Sequence, residues 1–196
     1  MSQRGRKVHT SAVVLIPPRD VWEPIQAIRR AHDPQVRRWM PHVTLLYPFV
    51  PEREFEAIAA RLSEALVGLE PFEVSLVEFG WFVHGRRSAT VWLRPEPVEK
   101  IKALQARLQE AVPWCDDVSR YPGGFKPHLS VGRFAGEEAA RRAAEGFSAG
   151  WRPLRFVADH VSLIARSGAP GEAFREVMRI VLGGGPPVLT RRGGVV

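Results

Sequence analysis

Two short segments of the 196-residue sequence carry the same set of chemically capable side chains: Pro41-His42-Val43-Thr44-Leu45 and Pro127-His128-Leu129-Ser130-Val131. Each reads proline, histidine, aliphatic, hydroxyl, aliphatic. On a β-strand, where side chains alternate between faces, His42 and Thr44 share one face while Val43 and Leu45 take the other. His128 and Ser130 stand in the same relation to Leu129 and Val131. Each segment thus offers a wet face bearing an imidazole and a hydroxyl, and an apolar face suited to a core. An imidazole, with an ordinary pKa of about 6.5, gains and loses a proton near neutrality. A hydroxyl donates a hydrogen bond to an anionic oxygen. Two such units supply both proton transfers of a phosphoryl displacement, one histidine relieving the attacking oxygen of its proton and the other protonating the leaving oxygen. Each positioned group contributes roughly 10²–10⁴ in rate, and the scheme needs no metal and no cofactor.

The pattern His-x-Ser/Thr also occurs at His9-Thr10-Ser11 and His160-Val161-Ser162, so position must separate the candidates. Period-2 and period-3.6 patterns predict a strand over 11–16, a helix over 19–31, a strand over 42–49, a helix over 52–67 and a strand over 72–79. In the second helix Phe55, Ile58, Ala59, Leu62, Ala65 and Leu66 form one apolar face, and Gly68 closes it. The second half repeats this order: strand 89–93, helix 97–112, strand 128–134, helix 137–147, strand 154–165. A further strand is predicted over 174–182. Each half is β-α-β-α-β, and His42 and His128 both fall on the second strand of their unit. His160 falls on the third strand and is the rival; its counterpart strand holds no histidine. His9 has no counterpart, and His32 and His84 lack a hydroxyl two residues on.

The chain is 45% hydrophobic, enough for a sizeable core, and its length suits one domain or two fused lobes. Its 28 basic and 21 acidic residues leave a net charge of +7, in keeping with a polyanionic partner. Only four of the basic residues are lysine, an arginine bias that also accompanies GC-rich coding. The one cysteine, Cys115, has no partner for an intrachain disulfide, and no apolar run approaches the roughly 18 residues of a membrane span. The expectation is a reducing compartment and a cytoplasmic, monomeric protein without membrane association. Residues 1–9 read as a flexible basic arm, 10–183 as one bilobal domain, and 184–196 as a loose Gly/Pro-rich tail.

The His42-Val43-Thr44 and His128-Leu129-Ser130 motifs, with the duplicated units around them, resemble the 2H phosphoesterase superfamily. The resemblance is to its branch of 2'-5' RNA ligases and RNA 2',3'-cyclic phosphodiesterases and covers roughly residues 10–183. It implies an α+β, bilobal fold in which two antiparallel sheets face a central cleft with helices outside. It further implies His42 and His128 as acid and base, Thr44 and Ser130 as phosphate ligands, and a substrate that is an RNA or nucleotide with a 2',3'-cyclic or 2'-5' phosphodiester.

Lys126, Tyr121 and Phe125, in and after the turn-rich Tyr121-Pro122-Gly123-Gly124-Phe125 segment, are candidates for holding RNA phosphates or stacking on bases. Trp39, Tyr47, Trp81 and Phe82 are further aromatic candidates. Arg37 and Arg38 read as solvated surface. Arg133 has strand parity opposite to His128 and points away from the site unless a bulge intervenes. Two functional classes stay open: an enzyme on RNA phosphodiesters, and an RNA-binding module that keeps the cleft without turnover. A metal-dependent phosphatase would require clustered Asp and His at ligand spacing, which the sequence lacks.

Overall fold

The computed structural model describes residues 6–190, and the two hydrophobic periods emerge there as strands and helices. The first unit is β1 (Ser11–Leu15), α1 (Trp22–His32), β2 (Val43–Leu46), α2 (Phe55–Ala65) and β3 (Phe72–Val83). The second is β4 (Ala89–Glu96), α3 (Val98–Ala111), β5 (Leu129–Phe134), α4 (Glu137–Ser148) and β6 (Leu154–Ala158). It is followed by β7 (His160–Ala165), β8 (Arg175–Val181) and β9 (Val188–Leu189). The expected strands over 42–49 and 128–134 begin one residue later than the pattern suggested. His42 and His128 therefore stand at the mouths of β2 and β5, where the chain enters the sheets.

All pairings are antiparallel and build two sheets, β2-β1-β7-β8-β9 and β5-β4-β3-β6. The single strand expected over 154–165 is two strands in different sheets: β6 pairs with β3, while β7 runs between β1 and β8. The reason lies in parity. Phe156 and Ala158 face the core before the break, and Val161, Leu163 and Ala165 face it afterwards. The inward set thus switches from even to odd numbers at the exposed Asp159, which one straight strand cannot do. The units are interleaved as a result, β3 leaving the first for the second sheet and β7 passing the other way.

One core runs through both sheets. Val13, Leu15, Val43 and Leu45 meet Val74, Leu76, Val91, Leu93, Leu129 and Val131, with Ile25, Leu62, Leu104 and Ala140 from the helices. Each of the fully buried Val, Leu and Ile side chains contributes about 1.5–3 kcal/mol. This main core is shared between the sheets, while a smaller cluster of Ala12, Val14, Ile164 and Phe174 packs along the first sheet. The helices lie against strands of the opposite unit as well as their own: α1 packs on β5 and α3 on β2. Where α1 crosses β5, a Cβ at Gly132 would come within 2.8 Å of the His32 Cβ, so the crossing requires glycine. The edge strands β2 and β5 approach each other, and this brings the two histidine motifs to one place.

The ends differ in part from expectation. Val8 bridges to Phe49, and Val188–Leu189, within the stretch read as a tail, pair with Met178 and Arg179 of β8. Residues 1–5 and 191–196, the outer parts of the expected arm and tail, lie outside the described residues. Among the described residues no helix is long and apolar enough to cross a membrane.

Candidate active site: two histidine half-sites

The buried Pro41 and Val43 anchor the entry to β2 and leave His42 half-buried between them, with Thr44 half-buried on the same face. The His42 Nδ1 donates to the Met40 carbonyl oxygen at 2.7 Å. The Trp39 ring stacks on the imidazole at 4.9 Å between centroids and 19° between planes, and stacks also on Phe174 at 3.8 Å. Behind Trp39 lies Arg29 of α1, which is 2% exposed. Its Nη2 donates to the Trp39 carbonyl oxygen (2.8 Å), its Nε to Asp33 Oδ2 (2.9 Å) and its Nη1 to Gln26 Oε1 (3.0 Å). A continuous path of contacts thus runs from the interior of α1 through Arg29 and Trp39 to His42.

The second half-site repeats the first at its centre and departs from it around the edges. His128 follows the buried Pro127, and its Nδ1 donates to the Lys126 carbonyl oxygen at 2.8 Å. The neighbouring rings are Phe82 at 4.9 Å and 88°, and Trp92 at 6.2 Å and 63°. The exposed Lys126 places its ammonium 4.9 Å from the Trp92 centroid and 5.3 Å from that of Phe82. Ser130 lies across the strand pair from Trp92, as Thr44 lies across from Val14.

In both half-sites the Nδ1 partner is a carbonyl two residues upstream, and a carbonyl oxygen only accepts. Nδ1 therefore carries the hydrogen in both rings, and Nε2 keeps the lone pair that can take up and release a proton. Burial pushes the His42 imidazole down to about 4. The Met40 carbonyl opposes this, and the charges of Arg29 and His128 add to it. Burial likewise pushes His128 down, opposed by the Lys126 carbonyl and helped by the Lys126 ammonium. Two imidazoles, the charge of His128 reaching His42 and each with Nε2 available beside a hydroxyl-bearing strand, can move two protons about one phosphorus.

The other sequence candidates disperse. Lys126 borders His128 as described, Tyr121 is 70% exposed, and Phe125 packs against the main core. Arg133 is re-aimed: the register of β4 and β5 slips between Val91 and Trp92, which places Arg133 across from Thr90 and on the face that Ser130 and Trp92 share. The rival His160 belongs to neither half-site. Its Nδ1 donates to Asp159 Oδ1 at 2.5 Å, and its Nε2 lies 3.7 Å from Glu176. Arg37 and Arg38, read as solvated surface, line a pocket beside Trp39. The sequence reading missed Arg29, whose signal was the Asp33 one helical turn on, beside the apolar stripe of α1. Cys115 is buried and its thiol is pushed up to about 12, which makes it an unreactive core residue. Among the described residues no three His, Cys, Asp or Glu side chains are grouped to hold a metal ion.

Residues 17–170 match the family model of the 2'-5' RNA ligase superfamily. An RNA 2',3'-cyclic phosphodiesterase of Methanothermobacter thermautotrophicus is 32% identical over 137 residues, a stretch covering 65% of this chain and 70% of that protein. A Bacillus licheniformis protein, itself only provisionally named a phosphoesterase, is 27% identical over 120 residues, 61% of this chain and 68% of its own length. Among solved structures, Escherichia coli LigT complexed with 3'-AMP superposes with a TM-score of 0.58 at 20% identity, covering 90% of this chain and 99% of that one. A Thermus thermophilus protein superposes at 0.55 with 19% identity, covering 89% and 98%. Both share the two-sheet α+β fold. With the family model spanning both histidine motifs, this chain belongs to the 2'-5' RNA ligase superfamily of 2H phosphoesterases.

Proposed function

We propose that this phosphoesterase opens 2',3'-cyclic phosphates at RNA ends, with His42 and His128 as the acid–base pair and Thr44 and Ser130 holding the non-bridging phosphate oxygens. The observation that carries the reading is the repeated hydrogen bond from Nδ1 to the carbonyl two residues upstream, which frees Nε2 in both half-sites. A water oxygen attacks phosphorus, and the neutral imidazole takes its proton at Nε2. The bond from phosphorus to one ribose oxygen breaks, and the other histidine, charged at the outset, returns a proton to that oxygen. With an RNA 5'-hydroxyl in place of water, the same steps form a 2'-5' linkage, so ligation and ring opening use one site. The two imidazoles supply both proton transfers, and the scheme requires neither metal nor cofactor. The unit that performs it is residues 10–183, acting as a monomer. The superfamily and the name of the Methanothermobacter relative support the substrate class.

The test is turnover, in chelator, of a short oligoribonucleotide ending in a 2',3'-cyclic phosphate. His42→Ala and His128→Ala are each expected to lower the rate by roughly 10²–10⁴ with the fold intact, and His160→Ala to leave it within a few-fold. Wild-type protein that binds the RNA and does not open the ring would overturn the proposal. A dead His160→Ala beside an active His128→Ala would overturn the site.

A further inference from the structure

A pocket of about 980 Å³ lies between the chain leading into β2 and the strands β7 and β8. It sits at the upper end of the roughly 300–1,000 Å³ typical of ligand pockets, and neither His42 nor His128 lines it. Five arginines do, Arg19, Arg37, Arg38, Arg175 and Arg179, against two carboxylates, Asp159 and Glu176. Much of this charge is already committed. Arg179 and Ser162 both donate to Glu176, at 2.8 and 2.5 Å, and His160 faces the same carboxylate. Arg175 donates to Glu52 at 2.6 Å, and the Arg19 guanidinium lies over the Trp22 ring. Arg37 and Arg38 are different: both are exposed, and neither is in an ion pair among the described residues. The wall that carries them is fixed by its backbone, the Phe174 amide donating to the Arg38 carbonyl oxygen at 2.8 Å.

Trp39 joins this pocket to the first half-site, lining the one and stacking on His42 in the other. An RNA whose reacting phosphate is terminal has chain only on its 5' side, and that chain must leave the histidines over some neighbouring surface. We infer that it leaves past Trp39 into this pocket, with Arg37 and Arg38 on the backbone phosphates, so that the protein binds an oligoribonucleotide in preference to a single nucleotide. The inference rests on the two-histidine reading of the site. It assigns the pocket to phosphates rather than bases because arginine contacts to backbone position a strand without reading its sequence.

The experiment uses His128→Ala protein, which holds the cyclic end without opening it. Affinities are measured for a fluorescent tetraribonucleotide ending in a 2',3'-cyclic phosphate and for a mononucleoside 2',3'-cyclic phosphate. Adding Arg37→Glu and Arg38→Glu is expected to weaken the tetranucleotide at least tenfold and the mononucleotide less than twofold. The salt dependence for the tetranucleotide should flatten by about 0.7 in log–log slope for each phosphate that an arginine no longer neutralises. The milder pair Arg37→Gln and Arg38→Gln should give a smaller loss of the same kind, and an unchanged melting temperature certifies the fold. Equal weakening of both ligands, or an unaffected tetranucleotide, overturns the inference. If wild-type protein fails to open the ring, the proposed function falls, while the same comparison made with a 3'-phosphate-ended tetranucleotide still decides the pocket.

Discussion

His42 is backed by a ring lying flat against it and by a guanidinium sealed inside α1, whereas His128 meets the Phe82 ring at right angles and has an exposed ammonium above its aromatic neighbours. The hydrogen bond that fixes the tautomer is the same in both half-sites. Only the charge behind it differs. A buried cation acts through a medium that salt and solvent hardly reach, so Arg29 helps fix the position of Trp39 against His42 and adds a constant push to an imidazole that burial already holds down. An exposed cation is screened and mobile, so Lys126 tunes its side of the cleft and does not hold it in shape. One hydrogen-bond arrangement is thus supported once by architecture and once by surface.

The largest test of that contrast removes the buried charge. Arg29→Met leaves Asp33 Oδ2 and the Trp39 carbonyl without the donor that Arg29 supplies and is expected to cost about 3–5 kcal/mol, as a buried pair does on losing one partner. Arg29→Lys should recover little, because a single ammonium cannot reach three separated acceptors in the fork geometry of a guanidinium. Chemical denaturation measures both, and an Arg29→Met protein as stable as wild type would dissolve the distinction.

Next in size is the effect of pH. Because burial holds both imidazoles below 6.5, with His42 at about 4, kcat/KM should follow a bell with its maximum on the acid side of pH 6.5. A flat profile would argue against paired imidazoles. For stability the sign follows from proton uptake. Between about pH 4 and 6.5 the unfolded chain binds the proton that folded His42 refuses, so stability falls as pH drops through that window. His160 works in reverse. Burial alone would lower it, but Glu176 and Asp159 together raise it, so its contribution is full below its unfolded pKa and fades as pH rises through the folded value. Denaturation midpoints against pH should change slope in opposite directions for His42→Gln and His160→Gln.

The smallest effect is expected from the exposed cation. Lys126→Ala should raise KM a few-fold at low salt, in line with a cation–π contact of about 0.5–1 kcal/mol at an exposed site, and the difference should vanish near 1 M salt, where the screening length is only about 3 Å. Persistence at high salt would show Lys126 acting as structurally as Arg29.

The histidine pair was legible because proline, aliphatic and hydroxyl recur at fixed offsets around it, and because the predicted repeat put both on equivalent strands. The break at Asp159 escaped notice because a polar Asp-His pair inside an alternating run reads as one wet face, although the switch in parity from Phe156 to Val161 was there to be counted. Arg133 depended on a one-residue slip between β4 and β5 that no local pattern announces. Arg29 looked like any arginine on a polar helix face, since burial is decided by what packs over it, here the returning chain that carries Trp39.

The placement of β7 between β1 and β8 also has a bearing on how the molecule is made. During synthesis from the N-terminus, His42 and the whole of β1 and β2 emerge early, yet the far edge of β1 has no partner until Ser162 to Ala165 have been translated. The first sheet must wait for the second unit, and pairing at so long a separation in sequence slows folding relative to local hairpins. The surroundings of His128, drawn from Phe82, Trp92 and Lys126, are all translated by the end of β5. Those of His42 include Trp39 stacked on Phe174 and are complete only after β7, so the first motif to be made is the last to be enclosed.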